Sequence, residues 1–125
     1  MRILCIDDEP DILELMAEFL ELLGHETVTT NDAGQGLEML LGKDAVLFDA
    51  VITDLKMPHM SGLEMVKALR DNHVMVPVIV ASGQFEEDLE QLAREYNIAA
   101  VLAKPCTLMK FTEVLAKVSE EADRQ

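Results

Sequence analysis

The sequence is poor in cysteine and in aromatic residues. It contains two cysteines, no tryptophan, one tyrosine and four phenylalanines among its 125 residues. Cys5 lies inside a predicted strand and Cys106 just after another, an arrangement that fits neither a metal site nor a disulfide framework. We therefore expect two ordinary thiols in a reducing compartment.

Basic side chains are also scarce. Ten lysines and arginines stand against 24 aspartates and glutamates, which gives a formal net charge of −14. Such a charge opposes binding to phosphate backbones and to anionic lipid. We expect this chain to make no direct contact with nucleic acid or with a membrane.

Long apolar segments are missing as well. No run approaches the ~20 residues that span a bilayer, and no charged segment followed by an apolar one opens the chain. The cytoplasm is therefore the expected location. Half of the 125 residues are apolar, enough for one hydrophobic core but not for two. We expect a single domain over residues 1–125, with a frayed tail at 119–125.

Short runs rich in β-branched residues alternate with helical apolar stripes along the whole chain. The predicted strands cover residues 3–6, 26–30, 51–53, 78–81 and 100–103. Helix-start signals precede the stripes between them: Pro10 in a first turn, and Asn31 or Asp32, Ser61 and Thr107 as N-caps. This alternation predicts βα units around a parallel sheet, in a three-layer α/β/α sandwich.

Four of the predicted strands end in polar side chains. Asp7 and Asp8 follow the first strand, Asp54 the third, Ser82 the fourth and Lys104 the fifth. A carboxylate at the end of a buried strand is costly unless something there uses it. Because the carboxyl ends of parallel strands share one edge of the sheet, where ligands bind, we expect these five side chains to form one site.

Three clustered carboxylates need a cation. At a separation of ~4 Å, each pair repels by roughly 4 kcal/mol at a protein-like effective dielectric. An all-oxygen cluster suits Mg²⁺, which keeps several waters that a phosphoryl group can displace. A carboxylate oxygen can also attack phosphorus, while a metal ion and the Lys104 ammonium neutralise charge on the transferring oxygens.

Taken together, these motifs resemble the receiver domain of two-component response regulators. The acidic pair is followed in order by Asp54, the loop Lys56-Met57-Pro58 with Gly62, Ser82, and Lys104-Pro105, each at a strand end or in the loop after it. Each motif alone is weak, but the ordered set is specific.

The similarity extends from residue 2 to about residue 118. It implies strand order 2-1-3-4-5 and a phosphorylation-switched signalling domain whose only catalysis is Mg²⁺-dependent self-phosphorylation and autodephosphorylation of Asp54. The ligands implied for Mg²⁺ are Asp7, Asp8, Asp54 and the main-chain carbonyl of Lys56. The implied donor is a histidine kinase or phosphotransfer protein, and a downstream target or output domain reads the change; a homodimer is compatible with the resemblance.

The resemblance also implies roles for neighbouring positions. Ser82 would donate a hydrogen bond to the phosphoryl oxygen, while Lys56 and Gln84 would control access of water to the acyl phosphate and set its lifetime. Val101 stands where receivers usually carry an aromatic side chain that moves on phosphorylation, and valine is too short and stiff for two positions. We therefore expect the change to centre on the loop from Ser82 to Phe85.

Other functions fit parts of this pattern. A flavodoxin would share the fold, but the acidic segment 8–11 would repel the phosphate of its flavin. A haloacid-dehalogenase-type phosphatase also uses an aspartate nucleophile, yet Lys56 occupies the position of its general acid and no cap domain is present. A constitutive interaction module with a relic site is the remaining alternative.

Simpler roles also exist for single residues. Asp7 or Asp8 could simply cap the first helix and have no other role, and Ser82 could be a turn residue beside Gly83.

Overall fold

The computed structural model describes residues 1–42, 48–55, 57, 59–82, 89–104 and 107–123. Strands and helices alternate along the chain. The strands are β1 Arg2–Ile6, β2 Glu26–Thr30, β3 Ala50–Asp54, β4 Val78–Ser82 and β5 Ala100–Ala103. The helices are α1 Pro10–Leu22, α2 Ala33–Leu41, α3 Gly62–Asp71, α4 Leu89–Glu95 and α5 Leu108–Asp123.

The strands form one five-stranded parallel sheet in the order β2-β1-β3-β4-β5. β3 lies at its centre, between β1 and β4. The sheet and its order confirm the fold predicted from the sequence. The central position of β3 explains why that strand is almost wholly apolar before Asp54, since helices cover both of its faces.

Two apolar cores cover the two faces of the sheet. Because side chains alternate along a strand, Cys5 and Ile52 pack with α1 and α5 on one face. Leu4 and Val51 point to the other face, where α2 and α3 cover them. These helix layers complete the predicted three-layer sandwich.

The predicted N-caps are present at three helices. Asp32 Oδ1 accepts from the amide of Gly34 at 2.7 Å, and Ser61 Oγ accepts from the amide of Glu64 at 3.1 Å. Thr107 Oγ1 accepts from the amide of Lys110 at 3.2 Å. Each bond satisfies an amide that has no partner inside its helix.

The last helix is longer than the sequence indicated. We expected a frayed tail from Ser119, but α5 continues as helix to Asp123. The segment is polar, yet glutamate and alanine are good helix formers, so it prolongs the helix once Phe111, Leu115 and Val118 are buried. Neither α5 nor any other helix in the described part of the chain is long and apolar enough to cross a membrane.

Candidate functional site

The register of the sheet brings the predicted site residues to one edge. Ile6 of β1 pairs with Thr53 of β3, so Asp7 and Asp54, the next residues, stand level. Ser82 ends β4 and pairs with Ala103 of β5, the residue before Lys104. Asp54 pairs with Ala81, so Ser82 lies one residue beyond the level of Asp54, and all four residues stand at the same edge of the sheet.

Lys104 joins the ends of three strands. Its Nζ donates to Oδ2 of Asp7 and to Oδ2 of Asp54, both at 2.9 Å. The side chain of Asp7 has no exposed surface, and those of Asp54 and Lys104 each keep 13%. A cation between two poorly hydrated carboxylates offsets both their desolvation and their mutual repulsion.

Asp7 is satisfied at both carboxylate oxygens. While Oδ2 binds Lys104, Oδ1 accepts from the amide of Glu9 at 3.0 Å. A buried carboxylate costs several kcal/mol unless it is paired and hydrogen-bonded, and these contacts meet that condition. Asp7 therefore fixes the chain between β1 and α1 as well as facing the site.

The pKa of Lys104 reflects two opposing causes. Partial burial lowers the pKa of its ammonium, whereas the hydrogen bonds and charges of Asp7 and Asp54 raise it, with a net rise above the ordinary value. Lys104 is therefore a full cation at neutral pH.

Asp7 also belongs to a group of three neighbouring carboxylates. Carboxylate oxygens of Asp7, Asp8 and Glu9 all lie within 4.8 Å of one another, with Asp8 and Glu9 exposed to solvent. Asp7 and Asp8 were predicted from the sequence as ligands and Glu9 was not, although the unbroken acidic run Asp7-Asp8-Glu9 was a signal for it. A donor set made only of oxygens fits a hard cation such as Mg²⁺.

The simple capping role does not describe Asp7 or Asp8. The N-cap of α1 is Glu9, whose side chain makes no capping hydrogen bond, and Pro10 begins the helix as predicted. Pro10 has no amide, which removes one of the unpaired donors of the first turn, and α1 lacks the side-chain cap seen at α2 and α3. The buried acid at this helix start is thus held by Lys104 as well as by a local amide.

Other predicted positions are only partly described. Ser82 is the last residue of β4, at the expected edge, and its backbone alone is described. Lys56 and Gln84 lie outside the described residues, as does Phe85. Val101 lies in β5 and is 40% exposed. The roles assigned to these positions stay predictions.

Comparison with known proteins agrees with this geometry. Residues 3–116 match the response regulator receiver domain family. The chain is 33% identical over 123 residues to the sensory/regulatory protein RpfC of Xanthomonas campestris pv. campestris, covering 95% of this chain and 16% of that protein. It is 32% identical over 120 residues to the sensor histidine kinase RcsC of Salmonella typhi, covering 96% of this chain and 12% of that protein.

A solved structure gives the same result for the fold. The chemotaxis protein CheY4 of Vibrio cholerae superposes with a TM-score of 0.84 at 25% identity, over 94% of this chain and 97% of that one. The chain thus belongs to the response regulator receiver domain family, a class of phosphorylation-switched signalling modules rather than conventional enzymes. It spans only 16% and 12% of the length of the two curated relatives.

Proposed function

We propose that Asp54 is the phosphoryl acceptor of this receiver domain. The observation that carries the proposal is the contact of Lys104 with both Asp54 and Asp7 at 2.9 Å. This contact places the Asp54 carboxylate, whose side chain is 13% exposed, at the carboxyl end of the central strand and beside the Lys104 ammonium. A nucleophilic carboxylate and a cation for the transferring oxygens are the two groups that phosphoryl transfer requires first.

The transfer step is a displacement at phosphorus. A carboxylate oxygen of Asp54 forms the new P–O bond as the bond from phosphorus to the donor breaks. With a phosphohistidine donor the P–N bond breaks and the imidazole leaves with a proton from solvent; with acetyl phosphate the P–O bond breaks and acetate leaves. Lys104 Nζ, already 2.9 Å from Oδ2 of Asp54, neutralises charge on the phosphoryl oxygens during the exchange.

Asp7, Asp8 and Asp54, with the main-chain carbonyl of Lys56, are the proposed holders of Mg²⁺. The cluster of Asp7, Asp8 and Glu9 supports this because its oxygens are of the type and closeness that a hard divalent ion binds. When bound, the ion supplies positive charge opposite the phosphoryl oxygens. Exposed Glu9 extends the negative field at the mouth of the site, which raises the local concentration of the cation.

The proposed partners rest on membership of the receiver family. A histidine kinase or histidine phosphotransfer protein donates the phosphoryl group, and a downstream target or output domain binds the changed surface, with Ser82 as the hydroxyl that contacts the phosphoryl oxygen. The proposed location is the cytoplasm, where a histidine kinase obtains its phosphoryl group from a nucleotide. That two curated relatives are sensory or kinase proteins supports a donor of this class.

Mass spectrometry of the intact protein tests the proposal. Incubation with Mg²⁺ and acetyl phosphate should add the mass of one phosphoryl group to the wild type and none to Asp54→Asn. Omitting Mg²⁺ should prevent the addition in the wild type. An unchanged wild-type mass would favour the relic interaction module, and normal addition to Asp54→Asn would assign the acceptor elsewhere.

A further inference from the structure

The main-chain carbonyl of Asp54 is enclosed by two residues that sequence reasoning did not assign to its positioning. The hydroxyl of Thr53 donates to this carbonyl oxygen at 3.0 Å, and Thr53 has no exposed surface. The first residue of α3, Gly62, packs directly against the same peptide group. The carbonyl thus receives a hydrogen bond and is covered by a helix backbone.

Gly62 leaves no room for a side chain. A Cβ built at this position would lie 2.0 Å from the Asp54 carbonyl oxygen, 3.0 Å from the Asp54 carbonyl carbon and 3.0 Å from Thr53 Oγ1. Since the first two atoms belong to the backbone, no rotation of a side chain relieves the overlap. Gly62 is not in the left-handed region, so the requirement for glycine here is close approach and not its φ angle.

The same turn of α3 is also tied to the end of β3. The amide of Gly62 donates to the carbonyl of Leu55 at 3.1 Å, one residue beyond Asp54. The side chain of Ser61 caps the helix through the amide of Glu64. The start of α3 is thereby held against the peptide groups of Asp54, the last residue of β3, and of Leu55, the residue after it.

We propose that Gly62 and Thr53 are positioning residues that fix the Asp54 peptide and thereby set the distance between the Asp54 carboxylate and Lys104. The Asp54 carboxylate points to the α1/α5 face with Ile52, whereas Thr53 and α3 lie on the opposite face. The Asp54 carbonyl carbon and Cβ are both bonded to the same Cα, and Asp54 is paired with Ala81 in the sheet, so displacement of the Asp54 peptide also displaces its carboxylate. This inference rests on the proposed role of Asp54 as phosphoryl acceptor.

Gly62→Ala tests the proposal, with Gly34→Ala as its matched control. Gly34 also lies in the first turn of a helix, but a Cβ there would meet only the side-chain Oδ1 of Asp32, at 3.1 Å. The methyl added at position 62 must displace the Asp54 peptide or α3. We expect the rate of phosphorylation by acetyl phosphate to fall roughly ten- to a hundredfold, since a shift of ~1 Å in a reacting group has that effect. Gly34→Ala should react like the wild type.

A second readout does not depend on phosphorylation. The ¹³C resonance of the Asp54 carboxyl carbon and that of Lys104 Cε should shift in Gly62→Ala without Mg²⁺ or donor, and stay unchanged in Gly34→Ala. Unchanged resonances in folded Gly62→Ala would overturn the inference. So would an unchanged rate of phosphorylation in that variant, provided that the wild type is itself phosphorylated.

Variants of Thr53 decide the question if Gly62→Ala does not fold. Thr53→Val keeps the shape of the side chain but removes the hydrogen bond to the Asp54 carbonyl, whereas Thr53→Ser keeps the hydroxyl. The resonances of the Asp54 carboxyl carbon and of Lys104 Cε should shift in Thr53→Val and should have their wild-type positions in Thr53→Ser. No shift with valine, or equal shifts with both, would overturn the inference. If the wild type itself gains no phosphoryl group, the proposed function fails while the resonances still decide the positioning role.

Discussion

The Nζ atom of Lys104 lies 2.9 Å from Oδ2 of Asp7, a carboxylate with no exposed surface. Lys104 follows the last strand and Asp7 the first, so this contact spans almost the full sequence. The lysine also reaches Asp54 at 2.9 Å. One ammonium thus neutralises the acid buried at the edge of the sheet and holds the proposed acceptor beside it.

Removing this cation should destabilise the apo protein. In Lys104→Met the Asp7 carboxylate stays buried and loses its counter-ion, and loss of one partner of a buried pair costs about 3 kcal/mol. We expect a lower free energy of unfolding by that amount in urea denaturation at pH 7 without Mg²⁺.

The control for this prediction neutralises Asp7, the buried acid that has no counter-ion in Lys104→Met. Adding Asp7→Asn to Lys104→Met should recover most of the stability, because an amide needs no counter-ion. Equal stability of Lys104→Met and the wild type would show that solvent already compensates Asp7.

The buried thiol of Cys5 should be unreactive in the native protein. Burial raises the pKa of Cys5 to about 12, and the thiolate is the reactive form. In a Cys106→Ser background, iodoacetamide at pH 8 should leave the folded protein unmodified and alkylate it fully in urea. Rapid alkylation of the folded protein would show that β1 opens readily.

The same pKa shift predicts a pH dependence of stability. The ordinary thiol pKa is 9.0, so above that value the unfolded chain loses a proton that the folded chain keeps. The contribution of Cys5 is therefore complete below pH 9.0 and is lost as the pH rises toward about 12, by about 1.4 kcal/mol per pH unit. Above pH 9.0, the free energy of unfolding of Cys106→Ser, measured by urea denaturation, should fall with pH more steeply than that of a variant that also carries Cys5→Ala.

The sequence carried enough information for the sheet and for most of the site edge. Each strand was marked by a β-branched run, and helix starts were marked by Asp32, Ser61 and Thr107, because these signals are local. The gathering of Asp7 and Asp54 at one edge followed from the parallel sheet, whereas the strand order came from family resemblance, since no local signal states which strands are neighbours.

Contacts that depend on tertiary approach could not be predicted. The need for glycine at position 62 arises from the Asp54 carbonyl eight residues earlier, which is visible only once α3 is docked. Arg70 gave no signal either, because an arginine near a helix end reads as a solvated residue. The left-handed backbone of His73 and Asn97, with φ of 61° and 55°, is likewise set by the packing of helix ends.

Arg70 connects two loops at the end of the sheet remote from Lys104. Its guanidinium donates to the carbonyls of Val74, Val76, Tyr96 and Asn97 at distances of 2.8 to 3.1 Å. The loop before β4 and the end of α4 are thereby joined to α3. Only a planar group with several donors can satisfy such a set of carbonyls.

Replacing Arg70 should lower stability even by a conservative change. Hydrogen bonds from a charged donor contribute about 1.5–3 kcal/mol each, so we expect Arg70→Met to lose at least about 3 kcal/mol in urea denaturation, and Arg70→Lys to lose much of this. Lys67→Met is the matched control, since Lys67 is an exposed residue of the same helix. Equal effects at positions 67 and 70 would contradict a specific role of the guanidinium.

Val101 lies opposite Val80 in the register of β4 and β5, with 40% of its surface exposed. Two further apolar side chains are exposed at the start of α5, Leu108 at 39% and Met109 at 73%. A valine has a single preferred χ1 rotamer in most backbones and little area to bury, so it gives neither state of the domain much advantage. The face around β5 should therefore respond weakly to phosphorylation.

Amide hydrogen exchange with and without beryllofluoride tests this expectation. Protection should change in the segment from Ser82 to Phe85 and at the start of the following helix, where a large aromatic ring can change its exposure, and change little at residues 99–103 and along α5. Val101→Tyr supplies an aromatic ring that can be buried in one state, so in that variant the changes should extend to β5 and α5. Strong changes at residues 99–103 in the wild type, equal to those near Ser82, would show that Val101 does not limit the response.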